Sequence, residues 1–263
     1  MTAHLAVALA ALFAAGLTLY SGFGLGTLLL PVFALFYPIE VAVGATAVVH
    51  GANNVFKVSM LGRYADRRVV IRFGLVAIAS AILGASLLAL MAGTGSTFEW
   101  RLASLAGSTS PLKLLMGVLM LIFAVFELAP RFRALEFDRK YLPLGGFLSG
   151  FFGGLSGHQG ALRSAFLVKT GLSTQAFVGT SSVIGLMVDV VRIMTYAGFM
   201  LMAGTVFTLP EDSAGLVLTG IVAAFSGVLI GKRFLHKVTM GTVQTLTGGL
   251  LLIIAVLLGS GVI

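Results

Sequence analysis

Inside one otherwise apolar stretch, His50, Asn54 and Lys57 follow one another at helical intervals, and Ser182, Asp189 and Arg192 do so in another. Residues three and four apart lie on one face of a helix. Ionisable groups in an apolar helix face a bundle interior or a wet cavity, because charge in hydrocarbon is costly. Asp189 and His50 can both change charge there, which makes them candidates for proton coupling. A third set lies in Gly153-Gly-Leu-Ser-Gly-His-Gln-Gly160 and the Arg163 and Ser164 that follow. Gly157 and Gly160 let the backbone turn beside His158 and Gln159, and residues 161–170 read as a short helix. Its N-terminus would offer unpaired N–H groups and partial positive charge to an anion. Arg163, on the first turn, adds a planar charge able to hold an oxyanion bidentately. The run Ser21-Gly-Phe-Gly-Leu-Gly26 contributes Gly22, Gly24, Gly26 and Thr27 but no cation, so backbone amides are its offering.

Structural roles compete at several of these positions and stay open here. Lys57 and Arg192 could snorkel to an interface. Arg192 and Asp189, one turn apart, could be a local ion pair, and Arg163 could satisfy carbonyls at the break or reach the cytoplasm. Catalytic chemistry finds less support. His4, His50, His158 and His236 show no metal-ligand spacing, and neither an HExxH pattern nor a nucleophile elbow occurs. The chain lacks a GxxxxGK[ST] loop, so ATP hydrolysis by this chain is not expected. Cysteine is absent, which removes disulfides, thiolate sites and haem attachment. The reading is therefore no enzyme, no metal and no cofactor.

The elements that position these residues follow from composition. Of 263 residues, 58% are hydrophobic and only 10% are charged, against roughly 25% charged in soluble domains. Mean hydropathy is +1.07. So much apolar surface must face lipid. The net charge of +8 sits in short runs between apolar stretches, which argues for membrane topology rather than nucleic acid. The first twenty residues carry no Lys or Arg, so no basic region precedes the first apolar run, and that segment is expected to stay rather than be cleaved. Spanning helices are predicted at 41–61, 71–92, 112–129, 174–203, 214–231 and 240–262. Residues 3–37 and 142–170 are cut by the two glycine-rich runs and read as broken or re-entrant helix pairs, since clustered glycine weakens a helix interior. Residues 93–110, rich in Gly, Ser and Thr, read as an extramembrane connection.

Lys and Arg between the spans set the expected orientation. Arg63, Arg67, Arg68, Arg72, Arg131, Arg133, Arg139, Lys140, Lys169, Lys232, Arg233 and Lys237 would lie in the cytoplasm, leaving Arg101 and Lys113 opposite. Both broken regions must then begin and end on one side, the first opening outward and the second inward. Each is followed by three spans, so residues 1–130 and 131–263 form two inverted halves. A 135-residue shift supports this: Ser21-Gly22 falls on Ser156-Gly157, Val43-Gly44 on Val178-Gly179, Glu40 on Gln175, Asn54 on Asp189 and Lys57 on Arg192. The fold class expected is an all-α transmembrane bundle of inverted repeats, a plan that places substrate where discontinuous helices meet near the midplane.

Four segments carry a family resemblance. Ser-Gly-Phe-Gly-Leu-Gly-Thr-Leu-Leu-Leu-Pro (21–31), Val-Gly-Ala-Thr (43–46), Gly-Gly-Leu-Ser-Gly-His-Gln-Gly-Ala-Leu-Arg-Ser (153–164) and Val-Gly-Thr-Ser-Ser (178–182), with Ser181 and Ser182, resemble the TauE/SafE family of sulfite and organosulfonate exporters. The resemblance covers essentially the whole chain. It implies export of small sulfur oxyanions, such as sulfite or sulfoacetate, across a bacterial inner membrane by a multi-pass protein. His158, Gln159 and Arg163 depart from the family's glycine-rich run and suggest a different anion preference. The expected partners are a small anion and the lipid bilayer, with a homodimer left open. Alternating access by a secondary transporter is the leading expectation; a passive anion channel or an uptake permease for another small organic anion is the alternative.

Overall fold

The computed structural model describes residues 1–17, 25–92, 97–102, 105–133, 135–203, 210, 212–234 and 240–263. Ten helices, besides a single turn at Pro130–Arg133, organise the described residues. Helix α1 spans Thr2–Leu17, α2 Leu25–Ala34, α3 Ile39–Leu61, α4 Arg67–Ala92 and α5 Pro111–Leu128. They are followed by α6 at Leu142–Ser156, α7 at Gly160–Leu167, α8 at Thr174–Ala203, α9 at Ser213–Phe234 and α10 at Met240–Gly259. Every predicted span is matched within a few residues, and both apolar regions thought to be broken are indeed divided between two helices. The break between α1 and α2, including Gly22 and Gly24, lies outside the described residues.

Local chemistry explains several boundaries. The Asp66 side chain accepts a hydrogen bond from Val69 N at 2.9 Å at the start of α4. Ser110 caps α5, accepting from Lys113 N at 3.1 Å, and Pro111 occupies the first turn, where its missing N–H costs nothing. A π turn over Val70–Gly74 interrupts α4. Helices α4, α5, α8 and α9 are long and apolar enough to cross a membrane, and α4, α5 and α9 expose large side chains such as Leu83, Leu90, Val118 and Val222. In α3, which has 23 residues, His50, Asn53, Asn54 and Lys57 lower the hydropathy, and all four are buried.

Close backbone approach holds the bundle together. Gly146, Gly150 and Gly154 form a stripe on α6, and a Cβ at any of them would overlap the Phe73, Ala77 or Ala81 carbonyl of α4. Small residues at such seams let helices gain packing that lipid cannot supply. Helix α1 packs on α9 as α6 packs on α4, and Gly227 meets the Leu12 carbonyl in the same way. Helix α3 packs on α8, and α5 on α10. Helices α2 and α7 begin at Leu25 and Gly160, and α3 and α8 at Ile39 and Thr174, so both pairs keep the 135-residue offset.

The segments that carry many of the basic residues are joined to one another. Phe137 N donates to Ala165 O at 3.1 Å and Asp66 N to Thr180 Oγ at 2.9 Å, and Val69, Phe73, Leu142, Phe166 and Leu167 share one buried cluster. Around this cluster Arg63, Arg67, Arg68, Arg72, Arg139, Lys140 and Lys169 are exposed.

The connection at 93–110 is more structured than expected. Phe98–Leu102 and Leu105–Thr109 pair as antiparallel strands, with Glu99 opposite Ser108 and Arg101 opposite Ala106. Trp100 Nε1 donates to Ser260 O at 2.7 Å and Ser108 N to Gly261 O at 3.0 Å, which fastens this hairpin to the end of α10.

Candidate functional site

The site starts at the second break. Helix α6 ends at Gly157, whose φ of 81° is left-handed and suits glycine. A Cβ there would also lie 2.9 Å from Arg192 Nη1, so glycine makes room for that guanidinium. Gly26, near the start of α2, abuts the same turn: its Cβ position is 3.2 Å from Gly157 O and 3.6 Å from His50 Cδ2. The beginning of α2, the α6–α7 break and the middle of α3 thus converge.

Asp189 of α8 is the hub. Its Oδ2 lies 2.6 Å from His50 Nδ1, which fits the tautomer protonated on Nδ1, and accepts from Asn54 Nδ2 at 2.7 Å. Its Oδ1 accepts from Gln159 Nε2 at 3.0 Å and from Arg192 Nε and Nη2 at 3.1 and 2.8 Å. A carboxylate offers about four lone-pair sites, so five donors saturate it. Burial at 0% exposure is tolerable because the charge is fully paired. Arg192 also donates from Nη1 to Gly153 O at 3.3 Å, and Tyr196 Oη donates to Gly154 O.

Gln159 carries the network onto α7. Its Oε1 accepts from Arg163 Nη1 at 2.8 Å while its backbone carbonyl accepts from Ser149 Oγ at 2.9 Å. Arg163 Nε donates to Ser181 Oγ at 2.8 Å. Lys57, at 5% exposure, lies inside the protein rather than at an interface, and Arg192 at 0% does not snorkel either. Three basic side chains, Lys57, Arg163 and Arg192, are therefore buried, Arg192 paired with Asp189 and Arg163 linked to it through Gln159.

Of the residues singled out from sequence, His50, Asn54, Gln159, Arg163, Asp189, Arg192 and Ser181 form one bonded network. Gly26, Gly157 and Gly160 frame it, while Thr27 and Ser182 are buried on α2 and α8 outside Asp189's shell. His158 points elsewhere: its ring stacks on Phe123 with centroids 4.7 Å apart, and Nδ1 lies 2.9 Å from Ser156 Oγ. Ser164 lies on another face of α7, where it lines an apolar cavity of about 420 Å³ with Phe123, Phe126, Phe132 and Gln244.

Two buried side chains were missed in the sequence. Thr46 Oγ and both amide atoms of Asn53 have no hydrogen-bond partner among the described residues, and neither does His158 Nε2. An unsatisfied buried polar group costs about 1–3 kcal/mol. The seven-residue interval from Thr46 to Asn53 is a helical repeat that could have revealed the pair. Among the described residues no group of three His, Cys, Asp or Glu could hold a metal ion.

The model of one protein family, described as Sulfite exporter TauE/SafE, matches residues 6–258. No curated protein and no solved structure matches the chain.

Proposed function

Since the chain belongs to the sulfite exporter TauE/SafE family of membrane transporters, we propose that it is a secondary transporter that exports small sulfur oxyanions, sulfite or a short sulfonate such as sulfoacetate, across a bacterial inner membrane. The observation that carries this reading is the burial of three basic side chains, Lys57, Arg163 and Arg192, where α2, α3, α7 and α8 converge, with Asp189 as the one carboxylate among the described residues of the bonded network there. Such a concentration of basic groups away from water favours a negatively charged visitor. Arg163, held by the neutral acceptors Ser181 Oγ and Gln159 Oε1, can exchange those bonds for charge-assisted ones to an oxyanion.

Alternating access is supported by the relation between the halves. The equivalent helix starts, the matched seams of α1 on α9 and α6 on α4, and the direct bond between Asn54 and Asp189 fit a two-fold axis through the site. A residue and its counterpart 135 positions away touch only near such an axis. With basic connections on the cytoplasmic side, the halves would be inverted, and rocking one against the other would expose the site to each side in turn. Proton coupling through His50 and Asp189 belongs to the same proposal; sulfite flux that ignores an imposed pH gradient would remove it.

Thermal unfolding of the purified protein with sulfite, sulfate, sulfoacetate and carboxylates tests the substrate class, because a ligand of the folded state raises its apparent stability. Sulfite or sulfoacetate is expected to give the largest shift, and Arg163→Ala to abolish it. An unchanged shift in that variant would reject the site, and carboxylates acting alone would reject the substrate class.

A further inference from the structure

Helix α3 carries polar side chains of two kinds, some bonded to Asp189 and two, Thr46 and Asn53, without hydrogen-bond partners among the described residues. His50 and Asn54 lean toward α8 and are taken by Asp189. Thr46 and Asn53, at 1% and 0% exposure, have no such use: the Thr46 hydroxyl and the Asn53 amide N and O lack hydrogen-bond partners among the described residues. Residues seven apart drift by only about 20° around a helix. Lys57, eleven residues beyond Thr46 and seven beyond His50, lies where the Thr46–Asn53 stripe meets the His50 face, roughly 16 Å along the helix from Thr46 at about 1.5 Å per residue.

The equivalent positions in the other half show what occupancy looks like. With the 135-residue offset, Thr46 corresponds to Ser181, Asn53 to Val188 and Lys57 to Arg192. Ser181 accepts from Arg163, Arg192 pairs with Asp189, and Val188 needs no polar partner. The position equivalent to Arg163 on α2 is Leu28, which cannot donate to Thr46. In a native interior buried polar atoms are nearly always bonded, and an exception calls for an unseen partner.

We propose that Thr46, Asn53 and Lys57 line the path of the transported anion, with Asn53 as its principal neutral contact. The Asn53 N–H₂ group and the Lys57 ammonium offer donors to the oxygens of a small oxyanion, and the Thr46 hydroxyl offers a further stop along the same stripe. Asp189 and its five donors are then the fixed support beside the path rather than part of it. This rests on the reading of the chain as a sulfur-oxyanion transporter and identifies which residues the anion meets.

The test is flux of radiolabelled sulfite in proteoliposomes containing the full chain, with Asn53→Leu and Thr46→Val as nearly isosteric variants. Asn53→Leu is expected to slow sulfite flux ten-fold or more, since a hydrogen bond to a charged ligand is lost. Its unfolding temperature without anion should hold or rise, because no internal bond is removed. Thr46→Val is expected to slow flux by a smaller factor, roughly three-fold, and carries the test alone if Asn53→Leu does not fold. Wild-type rates and half-saturation in the folded variants would overturn the inference while leaving the proposed function standing. A wild-type protein that moves no sulfite would overturn both.

Discussion

Residues 1–130 and 131–263 place polar side chains at equivalent positions on α3 and α8 and then spend them differently. On α8, Ser181 is bonded to Arg163 of α7, and Asp189 to Arg192 of its own helix and to Gln159 at the break before α7. On α3, Asn54 and His50 serve that same network, while Thr46 and Asn53 are buried with no hydrogen-bond partner among the described residues. On the proposed repeat, the contrast teaches that equivalent helices need not build equivalent sites. One copy can hold the electrostatic framework while the other keeps the unsatisfied groups that a passing ligand would fill. Richness in charge, which draws attention to Asp189 and Arg192, therefore marks support as readily as contact.

The most severe way to break this division is Asp189→Ala. It strands His50, Asn54, Gln159 and Arg192 in the interior, and loss of one partner of a buried ion pair costs about 3–5 kcal/mol. Thermal unfolding and the monodisperse fraction in detergent should both fall sharply; wild-type stability would contradict the hub. A sharper comparison uses neighbours on α3. Asn54→Leu removes a hydrogen bond to a carboxylate and should cost about 1.5–3 kcal/mol, whereas Asn53→Leu should cost nothing. Equal losses of unfolding temperature would erase the distinction between the two kinds of side chain on α3.

The helix seams should respond alike in both halves. Gly150→Val on α6 and Gly227→Val on α9 each drive a side chain into a facing backbone, and overpacking costs about 1–3 kcal/mol. A large loss at one and none at the other, read by thermal unfolding, would argue against matched seams. The smallest effect is expected at Trp100→Phe, which gives up one bond to Ser260 O, about 0.5–1.5 kcal/mol, and should leave sulfite flux intact.

Much of this was legible in the sequence because it depends on local pattern. Clustered glycines marked the division between α6 and α7, and the spacing of His50, Asn54 and Lys57 marked a buried face of α3. The offset of 135 set Asn54 against Asp189 before their 2.7 Å bond was seen. What depends on tertiary placement was not legible. Gln159 bridges Arg163 and Asp189 only because α7 folds back beside α8, and Ser164 turns away although it neighbours Arg163 in sequence. Asn53 was passed over because adjacent helix positions diverge by about 100°, the turn set by 3.6 residues, and the face had been drawn through Asn54. The hairpin was missed although Phe98, Trp100 and Leu102 alternate as a half-buried strand does. Gly22 and Gly24 lie outside the described residues.

Counterflow most directly tests the central claim that a buried site, reached from each side in turn, carries a small sulfur oxyanion. Proteoliposomes preloaded with unlabelled sulfite should take up external radiolabelled sulfite faster than empty ones and accumulate it transiently above equilibrium. Identical uptake by loaded and empty vesicles, rising only to equilibrium, would contradict alternating access and mark an open anion path instead.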